Sequence, residues 1–271
     1  MTRGAADVHS FHVANGQPGP RQVIGIGIPS FGMVSLYWAA RLLALRMPMN
    51  TIARYFYVVG QEVGAARNQI VHLARQIRGT GPGELRCTHL LFLDDDVLFH
   101  PDLLITLLGH DLPMVSGLYY TKATTPQPLM FKGENEGLAT GWRHGDMVPV
   151  SAHGMGLCLI NLDVFDAIEQ GHGDNAVYLD VNGYPAFFTT TRDQRNPGAG
   201  ITNETEDVYF CRLARGAGVV PMVDTSAPCF GFHFDGATQR GYPRPQWDAF
   251  TKTGAIEWPG PDGPILWEAG A

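Results

Sequence analysis

The sequence lacks any apolar run long enough to cross a bilayer. Its greasiest stretch, 34–47, is broken by Arg41 and Arg46, and a spanning helix needs about 20 consecutive apolar residues. The first 22 residues are polar and Gly/Pro-punctuated, without the continuous apolar segment of an export signal. The expectation is a soluble cytoplasmic chain of a bacterial cytosol or a phage-infected cell, with a peripheral membrane role left open. Cysteine is scarce: Cys87, Cys158, Cys211 and Cys229 form no C-x-x-C pair and no zinc spacing, which argues against a disulfide framework and points to reduced core thiols. Positive charge is also short, with 19 Lys plus Arg against 26 Asp plus Glu. A net charge of −7 gives no global field for nucleic acid. No internal repeat is visible. Glycine (33) and proline (19) are plentiful, yet together they make roughly a fifth of the chain, below the ~25–30% of low-complexity disorder.

What is present alternates strand and helix. Gln22-Val-Ile-Gly-Ile-Gly-Ile28 reads as a buried strand stopping at Pro29-Ser30, followed by helical material over about 34–46 and a strand near 53–59. From Glu62, the residues Val63, Ala66, Ile70, Leu73 and Ile77 recur at helical steps, with Gly79 at the C-cap position. His89-Leu-Leu-Phe-Leu93 is a central strand, Asp102 to Leu108 a helix opened by Pro101, and Met114 to Tyr120 a further strand. Gly154 to Asn161 and Val219 to Val223 read as strands, with a short helix from Asp163. Asn203 with Glu206 reads as a capping box opening a helix over Glu204 to Arg215. The Gly/Asn/Thr/Arg-rich stretch 171–200 reads as an active-site loop. This pattern predicts an α/β fold with a mostly parallel central sheet, whose ligand crevice lies beyond the carboxyl ends of the strands.

Asp94-Asp95-Asp96 falls at such an end. Three adjacent carboxylates repel one another unless a positive group joins them. On extended backbone Asp94 and Asp96 point to the same side, and two hard oxygen donors facing one crevice suit Mg²⁺ or Mn²⁺ completed by phosphate and water. The bland alternative is a solvated acidic turn. Asp96 is the leading ligand; Asp94 would reach the metal through water or contact a ribose, and Asp95 would orient the loop.

Leu91-Phe-Leu-Asp94-Asp95-Asp96-Val97 resembles the D-x-D motif of GT-A-fold nucleotide-sugar glycosyltransferases. The resemblance runs in order from Val23 to Phe234. Ile24-Gly-Ile-Gly-Ile-Pro29 is similar to the first strand and nucleotide loop, placing Pro29 and Ser30 at the donor. Glu62-Val-Gly-Ala-Ala-Arg67-Asn68 is similar to the helix start near the nucleotide base. Ser116-Gly-Leu-Tyr-Tyr120 resembles the strand after the D-x-D helix. Gly154-Met-Gly156 resembles the glycine-bearing acceptor-side strand, and Thr205-Glu206-Asp207 the motif that supplies an acceptor-activating carboxylate. His233 stands where members of this fold place a C-terminal metal ligand, with Asp235 as a weaker alternative.

The resemblance implies one GT-A-like domain over 22–235, its nucleotide-binding half about 22–120 and its acceptor half about 121–235. A leader (1–21) precedes it, a tail or lid (236–271) follows, and a smaller antiparallel sheet lies on the acceptor side. It implies transfer of a sugar from a UDP- or GDP-sugar to a hydroxyl, with Mn²⁺ or Mg²⁺ on Asp94, Asp96 and His233. Asp207 is the favoured base, with Glu206 the second catalytic carboxylate candidate although a capping role also explains it; inverting chemistry is favoured over retaining, and His153 is a further acceptor-side candidate. Arg67, Lys122, Arg192 and Arg195 are the cations for the diphosphate. A nucleotidyltransferase, or a non-catalytic nucleotide- or carbohydrate-binding module, is the alternative. The acceptor is open among polysaccharide, lipid carrier, protein, small molecule and a modified DNA base, the last helped by a local patch at Arg240 to Arg244.

Overall fold

Alternation in Val23-Ile-Gly-Ile-Gly-Ile28 decides how the centre is built. Ile24, Ile26 and Ile28 fall on one face of a strand, Gly25 and Gly27 on the other. The isoleucines are buried in one apolar cluster. On the opposite face a Cβ at Gly27 would lie 2.7 Å from Ile70 Cγ2, so glycine is what lets the helix carrying Ile70 rest on the strand. Neighbouring Leu90-Leu-Phe-Leu93 alternates likewise, with Leu91 and Leu93 joining the first cluster and Leu90 and Phe92 the second.

The structure is a computed structural model that describes residues 22–49, 51–77, 79, 85–133, 137–171, 178–193 and 202–253. In chain order the elements are β1 (Gln22–Ser30), α1 (Leu36–Ala44), β2 (Thr51–Val59), α2 (Val63–Arg75), β3 (Arg86–Leu93), β4 (Val97–Leu98), α3 (Leu103–Gly109) and β5 (Met114–Gly117). There follow β6 (Met130–Lys132), β7 (Gly137–Leu138), β8 (Met147–Pro149), β9 (Ala152–His153), β10 (Leu157–Asn161), α4 (Asp163–Gly171), β11 (Thr191–Asp193) and β12 (Thr202–Glu204). The chain continues through α5 (Glu206–Gly216), β13 (Met222–Asp224), β14 (Phe232–Asp235), β15 (Arg240–Tyr242) and α6 (Arg244–Thr253).

A seven-stranded sheet of order β2-β1-β3-β10-β5-β13-β8 forms the centre. β2, β1, β3, β5 and β13 share one direction, while β10 and β8 run against it. The sheet is therefore mostly parallel, and helices cover both faces. Trp38 of α1, Leu104 and Leu107 of α3 and Trp247 of α6 bury on one side. Ile70 of α2, Phe165 of α4 and Phe210 of α5 bury on the other. Small antiparallel sheets, β15-β14-β4, β7-β6-β9 and β11-β12, surround it.

Several expectations shift. The C-cap expected at Gly79 falls at Gln76, and the strand expected over Val219 to Val223 begins only at Met222. The strand expected over 154–161 starts only at Leu157, because Gly154 to Gly156 turn before it. Asn203 lies in β12, so no capping box forms; Thr205 takes the N-cap position of α5 and Glu206 is free to turn elsewhere. The chain after 235 is not a tail as far as 253. β15 pairs with β14, and Trp247 of α6 packs against Phe232 and Phe234 at ring separations of 5.4 and 5.7 Å. The expected leader 1–21, the remainder of the expected tail (254–271), and 172–177 and 194–200 of the expected loop lie outside the described residues.

Candidate functional site

β1, β3 and β5 end on the same edge of the sheet, and α5 begins there. β3 stops because Asp94 N–H donates to Gly156 O (3.1 Å) and the Asp94 carbonyl is taken by Trp38 Nε1 (2.8 Å) and Val97 N–H (3.1 Å), which closes a turn over the Asp triplet. The three carboxylates leave that turn in three directions.

Asp94 points to Arg67, which is 1% exposed on α2. Arg67 Nη2 donates to Asp94 Oδ1 (2.8 Å), and Nη1 donates to both Glu206 Oε1 (2.8 Å) and Asp207 Oδ1 (2.6 Å). One guanidinium thus gathers a carboxylate from the end of β3 and two from the first turn of α5, with the Phe92 and Phe188 rings about it at 6.0 and 5.9 Å. The net charge of this group is negative when all three acids are ionised. Burial accordingly raises Asp207 to about 7; Arg67 works against the rise, while Glu206 and Asp94 add to it. The second Asp207 oxygen accepts Met155 N–H at 3.2 Å. Glu206 is therefore an ion-pair partner rather than a cap.

Asp95 turns to the end of β1, where Ser30 Oγ donates to its Oδ2 (2.5 Å); burial raises its pKa, the Ser30 hydrogen bond opposes this, and Asp96 adds to the rise. Pro29 is buried within β1, one residue before Ser30.

Asp96 faces Lys122 and His233. Lys122 Nζ donates to Asp96 Oδ2, and His233 Nε2 lies 3.3 Å from the same oxygen. Burial alone would raise Asp96, but His233 and Lys122 bring it down to about 2. The Tyr120 carbonyl lies 3.0 Å from His233 Nδ1, so that nitrogen is the donor and Nε2 is turned to Asp96.

Of the three expected metal ligands the structure brings together two, Asp96 and His233, and sends Asp94 to Arg67. Among the described residues no group of three His, Cys, Asp or Glu gathers in a form suited to a metal. Asp96 and His233 are donor types that a divalent ion takes, although Lys122 occupies the same Asp96 oxygen. Two ligand atoms on a common ion at ~2.0–2.1 Å stand about 3 Å apart, and the Nδ1 hydrogen bond is the usual support of a ligating histidine.

The remaining residues divide by what they already hold. Arg67 spends Nη1 and Nη2 on carboxylates and its unpartnered Nε is buried, so the phosphate contact expected of it has no exposed donor. Asn68, 1% exposed, accepts Phe188 N–H (2.9 Å) and donates to Phe188 O (3.0 Å), stapling the 178–190 segment to α2. The space over Gly154 and Gly156, expected for an approaching sugar, is occupied in part from within. A Cβ at Gly156 would lie 2.9 Å from Asp94 Oδ2 and 3.0 Å from the Tyr119 hydroxyl, and one at Gly154 would overlap that hydroxyl. His153 is fully buried, its Nδ1 on Gly154 O, and burial lowers it to about 4. Asp235 folds back on Ala237 N–H and Thr238 at the exposed rim. Arg192 pairs with Asn203 by backbone in β11 and β12; its side chain and all of Arg195 lie outside the described residues.

Tyr119 is the residue sequence reasoning missed. Its hydroxyl accepts Gly156 N–H (3.0 Å), while its ring stands edge-on to His233 at 5.8 Å, so one buried side chain joins the two carboxylate groups. Its place directly after β5, on the same edge as Asp94, was the available signal.

No family model and no curated protein matches the chain. Among solved structures it is similar to the crystal structure of A197 from STIV at 16% identity, over 81% of this chain and 87% of that one, with a TM-score of 0.48. At that distance the likeness carries nothing about chemistry.

Proposed function

We propose that the chain is a divalent-metal-assisted glycosyltransferase of GT-A type, moving a sugar from a nucleoside-diphosphate donor to a hydroxyl acceptor. The observation that carries this reading is geometric: at the strand-end crevice Asp207 and Asp94 converge on Arg67 while Asp96 faces Lys122 and His233, the two groups joined through Tyr119, and burial raises the Asp207 pKa. A base works best with a pKa near the operating pH. A single-displacement transfer needs such a base for the acceptor hydroxyl and positive charge for the departing diphosphate.

The residues divide the work on that reading. Asp207 takes the acceptor proton, its carboxylate oriented by Arg67 and Met155 N–H. Asp96 and His233 would hold the ion, which when bound supplies charge stabilisation to the leaving diphosphate. Lys122, one-third exposed and paired with Asp96, would bind the phosphates once its hold on Asp96 loosens. Ser30 and Asp95 fix the β1 end where the nucleotide would lie. The Asp207 base makes inversion the favoured outcome, and the acceptor class is left to experiment.

The experiment is a panel of UDP- and GDP-sugars with Mn²⁺ or Mg²⁺, following release of the free nucleoside diphosphate with and without hydroxyl acceptors. Turnover of one donor, lost in Asp207→Asn while donor affinity persists, supports the reading. Tight nucleotide binding with no turnover favours the binding module, and release of pyrophosphate from a nucleoside triphosphate favours the nucleotidyltransferase.

A further inference from the structure

A second cavity, of about 340 Å³, lies behind the small sheet β15-β14-β4 and shares no lining residue with the carboxylate crevice. Its walls are Leu98, Phe99, Phe230, Phe232 and Phe250. Phe99, Phe230 and Phe232 are each at most 3% exposed, and Phe230 meets Phe232 edge-on at 5.1 Å, so the inner wall is rigid and apolar. Half-buried Phe250 of α6 completes the aromatic lining. The volume sits at the lower end of the ~300–1,000 Å³ typical of small-molecule sites, which pair apolar walls with a few placed polar groups.

The polar group here is Arg41 of α1. Its half-buried guanidinium lies over the Phe250 ring, 5.0 Å from the centroid, and burial lowers its pKa. Among the described residues it has no carboxylate partner. The contrast within the chain is sharp, since Arg67 binds three carboxylates and Arg75 binds Asp166 and Glu169. The nearby Asp102 is paired with Arg46 at 2.7 Å. His100, also lining the cavity, does not add a charge. Burial lowers its pKa; Asp102 opposes that, while Arg41 and Arg46 reinforce it.

We propose that this cavity binds a small organic carboxylate with an apolar body. The aromatic walls take the hydrocarbon, and the Arg41 fork takes the carboxylate through paired, charge-assisted hydrogen bonds. An uncharged body alone would leave the half-buried cation without its counter-ion, so the anionic head is the specificity element.

Calorimetry on the full chain tests this with decanoate, and with decanamide as its uncharged twin, both below aggregation. Wild type is expected to bind one decanoate, about tenfold or more tighter than decanamide. Arg41→Met should weaken decanoate by about that factor and leave decanamide unchanged, with Arg41→Lys between them. Ala227→Phe, which fills the cavity, should abolish both, and Phe250→Ala should weaken both if the first variant does not fold. Absence of saturable binding to folded wild type would overturn the proposal. So would equal affinity for the two probes, or decanoate binding indifferent to Arg41 and to cavity filling.

Discussion

Arg67 Nη1 and Asp207 Oδ1 meet at 2.6 Å across 140 positions of sequence. This contact ties α2 to the start of α5 and does so at the edge where β3 ends. Because Arg67 also holds Asp94 and Glu206, the crevice is organised by one buried cation rather than by the Asp triplet itself. The same cation makes Asp207 a defined group: without Arg67 three carboxylates would face one another with nothing between them.

Replacing Arg67 should therefore damage the fold as well as the site. Arg67→Met removes the compensating charge from a largely buried group, a change that typically costs about 3–5 kcal/mol. Denaturant unfolding should show that loss. Arg67→Lys should recover part of it, since an ammonium restores the charge but not the fork that reaches three partners.

Asp207 gives a pH dependence of defined sign. Its folded pKa is raised to about 7, with Arg67, Glu206, Asp94 and Tyr119 around it, above the ordinary carboxylate value. Its contribution to stability is thus present in acid, below the unfolded value, and is lost as pH rises through about 7. Asp207→Asn should flatten that loss, so its melting temperature relative to wild type should improve between pH 6 and pH 8, roughly the interval about this pKa. In turnover the sign reverses: activity should climb with pH towards about 7 as the base ionises, and the variant should lose a factor of about 10²–10⁴.

How far these features could be read beforehand depends on how local their causes are. The strand β3, the helix α2 and the break at Asp94 follow from alternation, helical spacing and charge within a few residues, so the sequence shows them. The direction of each Asp does not. Asp94 and Asp96 do share a side on an ideal strand, but the turn to Val97 begins at Asp94, and its hydrogen bonds separate them. Arg67 was visible as a cation near the crevice, but its three partners come from positions 27, 139 and 140 residues away. Glu206 matched a capping pattern that β12 pre-empted by claiming Asn203.

The segment beyond 235 illustrates the same limit, since its Pro- and aromatic-rich composition reads as a tail although it carries core residues. Trp247 is 4% exposed and touches Phe232, Phe234 and Phe250. Trp247→Ala should cost about 3–5 kcal/mol, the usual price of truncating a buried aromatic, measurable by thermal or denaturant unfolding. A change within 0.5 kcal/mol or so, as for an exposed residue, would return α6 to the status of an appendage.

Lys122 supplies the last prediction, because its ammonium and a divalent ion would compete for the same Asp96 oxygen. Removing it should help the ion and hurt the nucleotide. Lys122→Met is expected to bind Mn²⁺ more tightly than wild type by calorimetry or electron spin resonance, and to bind a nucleoside diphosphate more weakly when the metal is saturating. Asp96→Asn should lose Mn²⁺ altogether, and His233→Ala should weaken it while sparing the fold, since the His233 ring is edge-on to Tyr119 at the crevice rather than deep in the core. Unchanged Mn²⁺ affinity in both the Lys122 and Asp96 variants would mean that the Asp96 and His233 pair is a surface ion-pair cluster. The diphosphate would then have to be met by Lys122 alone.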